Sequence, residues 1–230
     1  NGRIAVINTE SGAICKYLGL APDGVPWEFD LVEPDNYSPS TYTELILAAG
    51  RAGYDVLIVD SLSHAWEGEG GALDQVDRKT GDNGNKFTAW KDVTPQHRRM
   101  VEAILRSPCH VITTMRTKTD YVLEPNEKGK MQPKKVGLKA VQREGMEYEF
   151  DVVVDMDVEH VMTVSKTRCP DIDRLTVCKP SALTFEPLVT WLEDGSDVGA
   201  DHYARTEADL RIEQKAIAAS KTPEERRREA

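Results

Sequence analysis

Residues 55–61 read Asp-Val-Leu-Ile-Val-Asp-Ser, four apolar residues in succession closed by a carboxylate at Asp60. An unbroken apolar run of strand length reads as a strand buried on both faces, the habit of parallel sheets. Such a strand needs neighbouring strands beside it and helices over it, which commits the chain to α/β layering. Its acid falls at the carboxyl end, the edge where open α/β sheets bind ligands.

The flanking sequence keeps the same rhythm. Residues 4–7 form a second short apolar strand that ends at Asn8-Thr9-Glu10, and residues 20–37, rich in Pro, Gly and Asp, read as loop or a weak edge strand. Thr41-x-x-Glu44 matches a capping box, which predicts a helix from Ser40 or Thr41 with Leu45, Ile46 and Ala49 on its apolar face and Gly53 at its end. Residues 67–92, with Gly68, Gly70, Gly71, Gly81 and Gly84 among charges, predict a long excursion. Thr94 as N-cap and Pro95 in the first turn predict the next helix, with Met100, Val101, Ile104 and Leu105 as its buried stripe and Ser107-Pro108 as its stop. A strand follows from Cys109 to Met115, then a hairpin or mobile loop over 120–143, then strands at 151–157, 160–165 and near 174–178. The expected class is α/β, a mainly parallel sheet with flanking helices. The expected division is a core over 1–195 and a charged helical tail over 196–230.

Composition narrows the function. With 40% hydrophobic and 30% charged residues the chain is of soluble type, and no apolar run approaches the ~20 residues of a membrane helix. A membrane partner is not expected, and a cytoplasmic setting is. The four cysteines are scattered without C-x-x-C spacing, so they read as reduced thiols and not as a zinc site. The start, Asn1-Gly2-Arg3, enters almost directly into a strand, which predicts that the chain begins inside a larger protein. A net charge of −10 repels nucleic acid overall. Residues 116–143 reverse it: Arg116, Lys118, Lys128, Lys130, Lys134, Lys135, Lys139 and Arg143 face only Asp120, Glu124 and Glu127. That surplus of cations suits contact with a phosphate backbone, though lysines guarding a solvated hairpin edge give the same pattern.

Three strand ends carry polar groups that a parallel sheet brings to one edge: Glu10, Asp60 and the Thr114/Arg116 pair. Phosphoryl transfer needs an acid that holds a metal, a group that orients the nucleophile, and cations against the developing charge. Asp60 suits the first and Glu10 the second. Taken singly, Asp60 also fits an Asp-Ser turn after a core strand, and Glu10 a solvated loop acid.

The ordered motifs resemble one family. Arg3-Ile-Ala-Val-Ile-Asn-Thr-Glu10 is similar to the RecA-type strand that ends in the catalytic glutamate. Asp55-Val-Leu-Ile-Val-Asp60-Ser61-Leu-Ser-His64-Ala-Trp66 resembles the Walker B segment of phage-encoded RecA-like AAA ATPases. Phe87-Thr-Ala-Trp90, Thr94-Pro95-x-His97, Thr114-Met-Arg116-Thr-Lys118, Gln142-Arg143-x-Gly145-x-Glu-Tyr148-Glu-Phe150-Asp151 and Ser165-Lys166-Thr-Arg168 follow in the same order over about residues 1–170. The phosphate-cradling G-x-x-x-x-G-K-[ST] appears nowhere in the 230 residues.

The resemblance implies a RecA-like P-loop fold lacking its first strand and P-loop helix, with ATP and Mg²⁺ as cofactors. It implies that Asp60 holds the metal and that Glu10 orients the attacking water. Asp60, Ser61, Thr114 and Arg116 would contact the nucleotide, and Lys166 and Arg168 would reach the ATP of a neighbouring subunit. Thr114 departs from the Gln or Asn usual at the sensor position. Lys118, Lys128, Lys130, Lys134, Lys135, Lys139 and Arg143 would contact single-stranded DNA. The implied whole protein is a homo-oligomeric ATPase of phage DNA recombination, repair or strand annealing in the bacterial cytoplasm; the 230 residues alone would hydrolyse ATP negligibly. Two rivals fit the same residues: a non-enzymatic degenerate ATPase fold that binds single-stranded DNA or a recombination partner, and a metal-dependent nuclease built on Glu10 and Asp60.

Overall fold

A buried strand needs a neighbour on either side, and the chain supplies both. The computed structural model describes residues 2–17, 27–81, 84–125 and 130–194, and the chain divides into two compact units, one built on Asn1–Gln142 and the other on Arg143–Gly199. In the first unit, β1 (Ile4–Asn8), β2 (Asp30–Val32), β3 (Val56–Asp60) and β4 (His110–Thr113) form a parallel sheet in the order β2-β1-β3-β4. The chain leaves β1 toward β2 on one side and leaves β3 toward β4 on the other, so the strand order reverses between β1 and β3. A crevice outside the carboxyl ends of two such strands is where this class of sheet takes its ligand.

Parallel strands need crossovers, and the crossovers here are helical. Helix α1 (Pro39–Arg51) joins β2 to β3; α2 (His64–Glu67), α3 (Ala72–Thr80) and α4 (Lys86–Leu105) lie between β3 and β4. Helices α1 and α4 pack together. Leu57 and Val59 on one face of β3 are buried, as are Tyr42, Ile46 and Leu47 of α1. The other face thins toward β4: Val6, Ile58 and Ile112 lie in one row across the sheet, with Val6 buried and Ile112 54% exposed.

Two helix starts differ from the expectation. Ser38, not Thr41, caps α1: its hydroxyl accepts the Thr41 N–H at 3.1 Å, and Pro39 occupies the first turn, where its missing N–H costs nothing. Gly53 does end the turn after α1, in the left-handed region at φ 71°. Helix α4 begins at Lys86, capped by Asn85, whose side-chain oxygen accepts the Phe87 N–H at 2.9 Å. Pro95 therefore sits inside the helix and Thr94 is not its cap. Packing overrides the proline signal: Ala89 and Val93 of α4 are buried against Ala72 and Val76 of α3, with Trp66 and Trp90 over them. The same contact turns much of the expected excursion over 67–92 into helix.

Beyond β4, strands β5 (Thr117–Pro125) and β6 (Met131–Ala140) form an antiparallel hairpin, registered from Thr117 with Ala140 to Pro125 with Met131. In the second unit, β7 (Val152–Met156), β8 (Val161–Thr167) and β9 (Thr176–Cys178) form an antiparallel sheet in that order, followed by α5 (Glu186–Glu193). Connections this short allow hairpins but no crossover, so parallel pairing is confined to the first unit. Met146, Met162, Val164, Cys169 and Ile172 are its buried apolar residues. The tail expected over 196–230 lies outside the described residues.

The uneven cover of the sheet has a measurable signature. Leu57→Ala should cost about 2–5 kcal/mol of stability in urea unfolding, whereas Ile112→Ala should stay within about 0.5 kcal/mol of the parent.

Candidate functional site

The β1–β3 register sets Asn8 beside Asp60 and carries both chains past the sheet edge together. The Thr9 N–H donates to the Asp60 carbonyl at 2.7 Å. From the next strand, the Thr114 hydroxyl donates to Asp60 Oδ1 at 2.6 Å, while the Leu62 N–H donates to the Thr114 carbonyl at 2.9 Å. The Asp60–Ser61 peptide is cis. Asp60 is thus held from both sides, and no other hydrogen bond among the described residues engages its carboxylate.

Behind Asp60 lies a buried polar knot. The Ser61 N–H donates to Thr9 Oγ1 at 2.7 Å, Thr9 Oγ1 bonds His64 Nδ1 at 2.7 Å, and the Tyr42 hydroxyl donates to the Ser61 carbonyl at 3.0 Å. Burial pushes the Tyr42 phenol far above its ordinary value, so it stays a neutral donor. Ser61 is itself buried. Its hydroxyl lies 3.5 Å from His64 Nδ1, and Glu10 Oε1 lies 3.9 Å from the same nitrogen. A nucleophilic relay needs the hydroxyl and the acid on opposite ring nitrogens, so these three residues do not form one.

Glu10 is gripped by Arg116. Arg116 Nε donates to Glu10 Oε1 at 3.1 Å and Nη2 donates to Oε2 at 2.5 Å, a bidentate pair between residues 106 positions apart. The hydrogen bonds and charge of Arg116 hold the Glu10 carboxyl below its ordinary value against the opposing effect of burial. Arg116 in turn is pinned where the hairpin begins: its N–H donates to Ser63 Oγ at 2.9 Å, and its carbonyl accepts the Val141 N–H at 2.7 Å. Gln142 closes the other strand of the root. Its amide donates to the Leu62 carbonyl at 3.0 Å, and its oxygen faces His97 Nε2 at 3.0 Å, which makes that nitrogen the donor. The hairpin root is therefore bonded to the same turn that carries Asp60 and Ser61.

A family model for the AAA domain matches residues 2–179, more than three quarters of the chain. The chain belongs to the AAA domain family. No curated protein matches it. Membership carries an ATPase-type function on a nucleotide-binding α/β fold, and the parallel sheet with flanking helices accords with it.

Nucleotide and divalent metal are the cofactors this AAA domain implies, and the site suits them unequally. A carboxylate with one oxygen turned to Thr114 and a hydroxyl beside it are hard oxygen donors, the kind Mg²⁺ takes in ones and twos while keeping water and phosphate. Among the described residues no cluster of three or more His, Cys, Asp or Glu forms a metal cage. A phosphate cradle of the G-x-x-x-x-G-K-[ST] kind is not in the sequence. The residues present thus fit the metal better than the phosphates.

The structure brings Glu10, Asp60, Ser61, Thr114 and Arg116 together within the first unit. Lys118 stands opposite Lys139 in the hairpin register, and Lys134 and Lys135 stand opposite Val122 and Tyr121. Lys130 is exposed just before β6. Lys128 lies outside the described residues, and Arg143 is exposed in the second unit. Lys166 and Arg168 also belong to the second unit. Lys166 Nζ donates to the carbonyls of Tyr148, at 2.7 Å, and Phe150; burial and then the Arg168 charge lower its pKa. Arg168 pairs with Asp151 at 2.6 Å. Sequence reasoning gave no role to Thr9, Tyr42 or Gln142, whose partners are set by the fold alone; a Thr beside Glu10 was the one legible hint.

The Glu10–Arg116 pair predicts a pH dependence. Glu10 has an ordinary value of 4.5 and is depressed in the fold, so its stabilisation is complete above that value and is lost as pH falls through the lower folded one. Arg116→Ala should reduce the acid sensitivity of the urea midpoint below about pH 5 and leave the neutral-to-alkaline slope unchanged.

Proposed function

We propose that the whole protein is a Mg²⁺-dependent ATPase of RecA-like, phage type that acts in DNA recombination, repair or single-strand annealing. The observation that carries this reading is the placement of Asp60, braced by Thr114, and Glu10 at the strand-order reversal of a parallel sheet. In this reading a first strand and P-loop helix precede the 230 residues, which alone hydrolyse ATP negligibly. The outer edge of β4 supports it, since the exposed Ile112 offers apolar surface for another strand and its helix.

Asp60 holds Mg²⁺, Thr114 fixes the carboxylate rotamer, and Glu10 orients the attacking water. Bound Mg²⁺ supplies neutralising charge at the phosphate oxygens. Glu10 performs its role when its carboxylate turns from Arg116, so the hairpin root governs its basicity. Lys166 and Arg168 serve the nucleotide of an adjacent protomer once they leave their present partners. Single-stranded DNA lies along the basic hairpin, and the protein works as a homo-oligomer in the cytoplasm of a bacterial host. The missing phosphate-cradling motif favours one rival, a fold that binds single-stranded DNA without hydrolysis.

Two measurements separate these readings. In the chain extended through its natural upstream sequence, Mg²⁺-dependent ATP turnover should rise with single-stranded DNA and fall by about 10²-fold or more in Asp60→Ala and in Glu10→Gln. Turnover indifferent to both substitutions removes the assigned roles; no turnover leaves the binding module. In salt titrations, Lys134→Glu/Lys135→Glu should weaken DNA binding and make the log–log slope shallower by about 1.4, two single-strand phosphate contacts.

A further inference from the structure

We propose that His64 is the positioning residue that takes over Glu10 when Arg116 releases it. His64 Nδ1 then donates to Glu10 Oε1 and leaves Oε2 to face the attacking water. The inference rests on the ATPase reading, in which Glu10 works once turned from Arg116. One carboxylate oxygen faces both holders: Glu10 Oε1 accepts from Arg116 Nε at 3.1 Å and lies 3.9 Å from His64 Nδ1. All three residues belong to the first unit.

The knot behind Asp60 accommodates both states. Thr9 Oγ1 has one proton and two acceptors in reach, His64 Nδ1 at 2.7 Å and the Ser61 carbonyl at 3.2 Å. It accepts the Ser61 N–H in either case. While Arg116 fills Oε1, the shorter contact directs the Thr9 proton to Nδ1, so the ring proton sits on Nε2. With Arg116 withdrawn, a bare Nδ1 would set its lone pair against a carboxylate. Moving the ring proton to Nδ1 replaces that repulsion with a charge-assisted hydrogen bond, and the Thr9 hydroxyl turns to the Ser61 carbonyl. Thr9 keeps a full set of partners throughout.

The ring itself is fixed in place. Tyr37 lies against it with 5.0 Å between centroids, and the Tyr37 N–H donates to the Glu69 carbonyl at 3.0 Å. The glycines after α2 serve that contact. A Cβ on Gly68 would stand 2.7 Å from the His64 carbonyl and 2.8 Å from the Tyr37 ring, and one on Gly71 would stand 2.7 Å from the same carbonyl. Both approaches are closer than packed atoms allow.

The hand-over can be read without turnover. Side-chain nitrogen NMR of the nucleotide-free whole protein gives the protonation of His64 Nδ1 in the parent, in Arg116→Met and in Arg116→Met/Glu10→Ala, with urea midpoints showing that each variant keeps its fold. Nδ1 should be unprotonated in the parent, protonated in Arg116→Met and unprotonated again in the double variant. An unchanged Nδ1 in Arg116→Met, or a proton that stays there without the Glu10 carboxylate, overturns the inference. Turnover then assigns the role. His64→Phe, which keeps a ring against Tyr37 but has no nitrogen, should lower kcat about tenfold or more while KM for ATP stays within about twofold. His64→Asn, whose amide nitrogen stands in for Nδ1, should keep kcat within about threefold of the parent. Equal kcat in His64→Phe and the parent, or equal losses in His64→Phe and His64→Asn, also overturns the inference. A parent without turnover whose Nδ1 still follows Glu10 retires the ATPase reading and leaves the hand-over standing.

Discussion

The register of β1 on β3 is the constraint from which the site follows. Five rungs of parallel pairing, from Ile4 on Val56 to Asn8 on Asp60, bring two segments some fifty residues apart to the same edge. A slip of one residue would turn Leu57 and Val59 out of the core and swing Asp60 to the opposite face, so burial enforces the alignment. Thr9 then fastens both chains beyond the last rung, through its N–H on the Asp60 carbonyl and its hydroxyl on the Ser61 N–H. Position at the sheet edge is a product of the core, not of the polar residues themselves.

Electrostatics add a second layer. Glu10 could stand as a solvated carboxylate; instead a guanidinium from the hairpin root takes both of its oxygens. Its charge is kept and its basicity is reduced, which suits a resting arrangement better than a working one. The backbone bonds of Arg116 to Ser63 and Val141 make that guanidinium a property of the hairpin's position. Lys166, held by two carbonyls, and Arg168, held by Asp151, are likewise engaged within their own unit.

The apolar runs made three of the four parallel strands legible in the sequence, while β2 lies in a stretch that read as loop or a weak edge strand; the polar residues at the strand ends marked Glu10, Asp60, Thr114 and Arg116. Period and run length carry that information because burial on both faces leaves a continuous apolar signature. Helix boundaries were less legible. Ser38-Pro39 outcompeted Thr41 as the cap, and packing of Ala89 and Val93 on α3 drew α4 back to Lys86 through a proline that reads as a start. The partners of the site residues were the least legible part. Tyr42, Gln142 and His97 meet the turn after β3 from distant segments, and no local pattern encodes such meetings.

The central claim is that Asp60 is the protein's ligand for a divalent cation that arrives with ATP. Mn²⁺, as a spectroscopic stand-in for Mg²⁺, can be followed by electron paramagnetic resonance in the upstream-extended protein. The account predicts Mn²⁺ binding that depends on ATP, is lost in Asp60→Asn and persists in Glu10→Gln. Binding that ignores ATP, or survives Asp60→Asn unchanged, would contradict it.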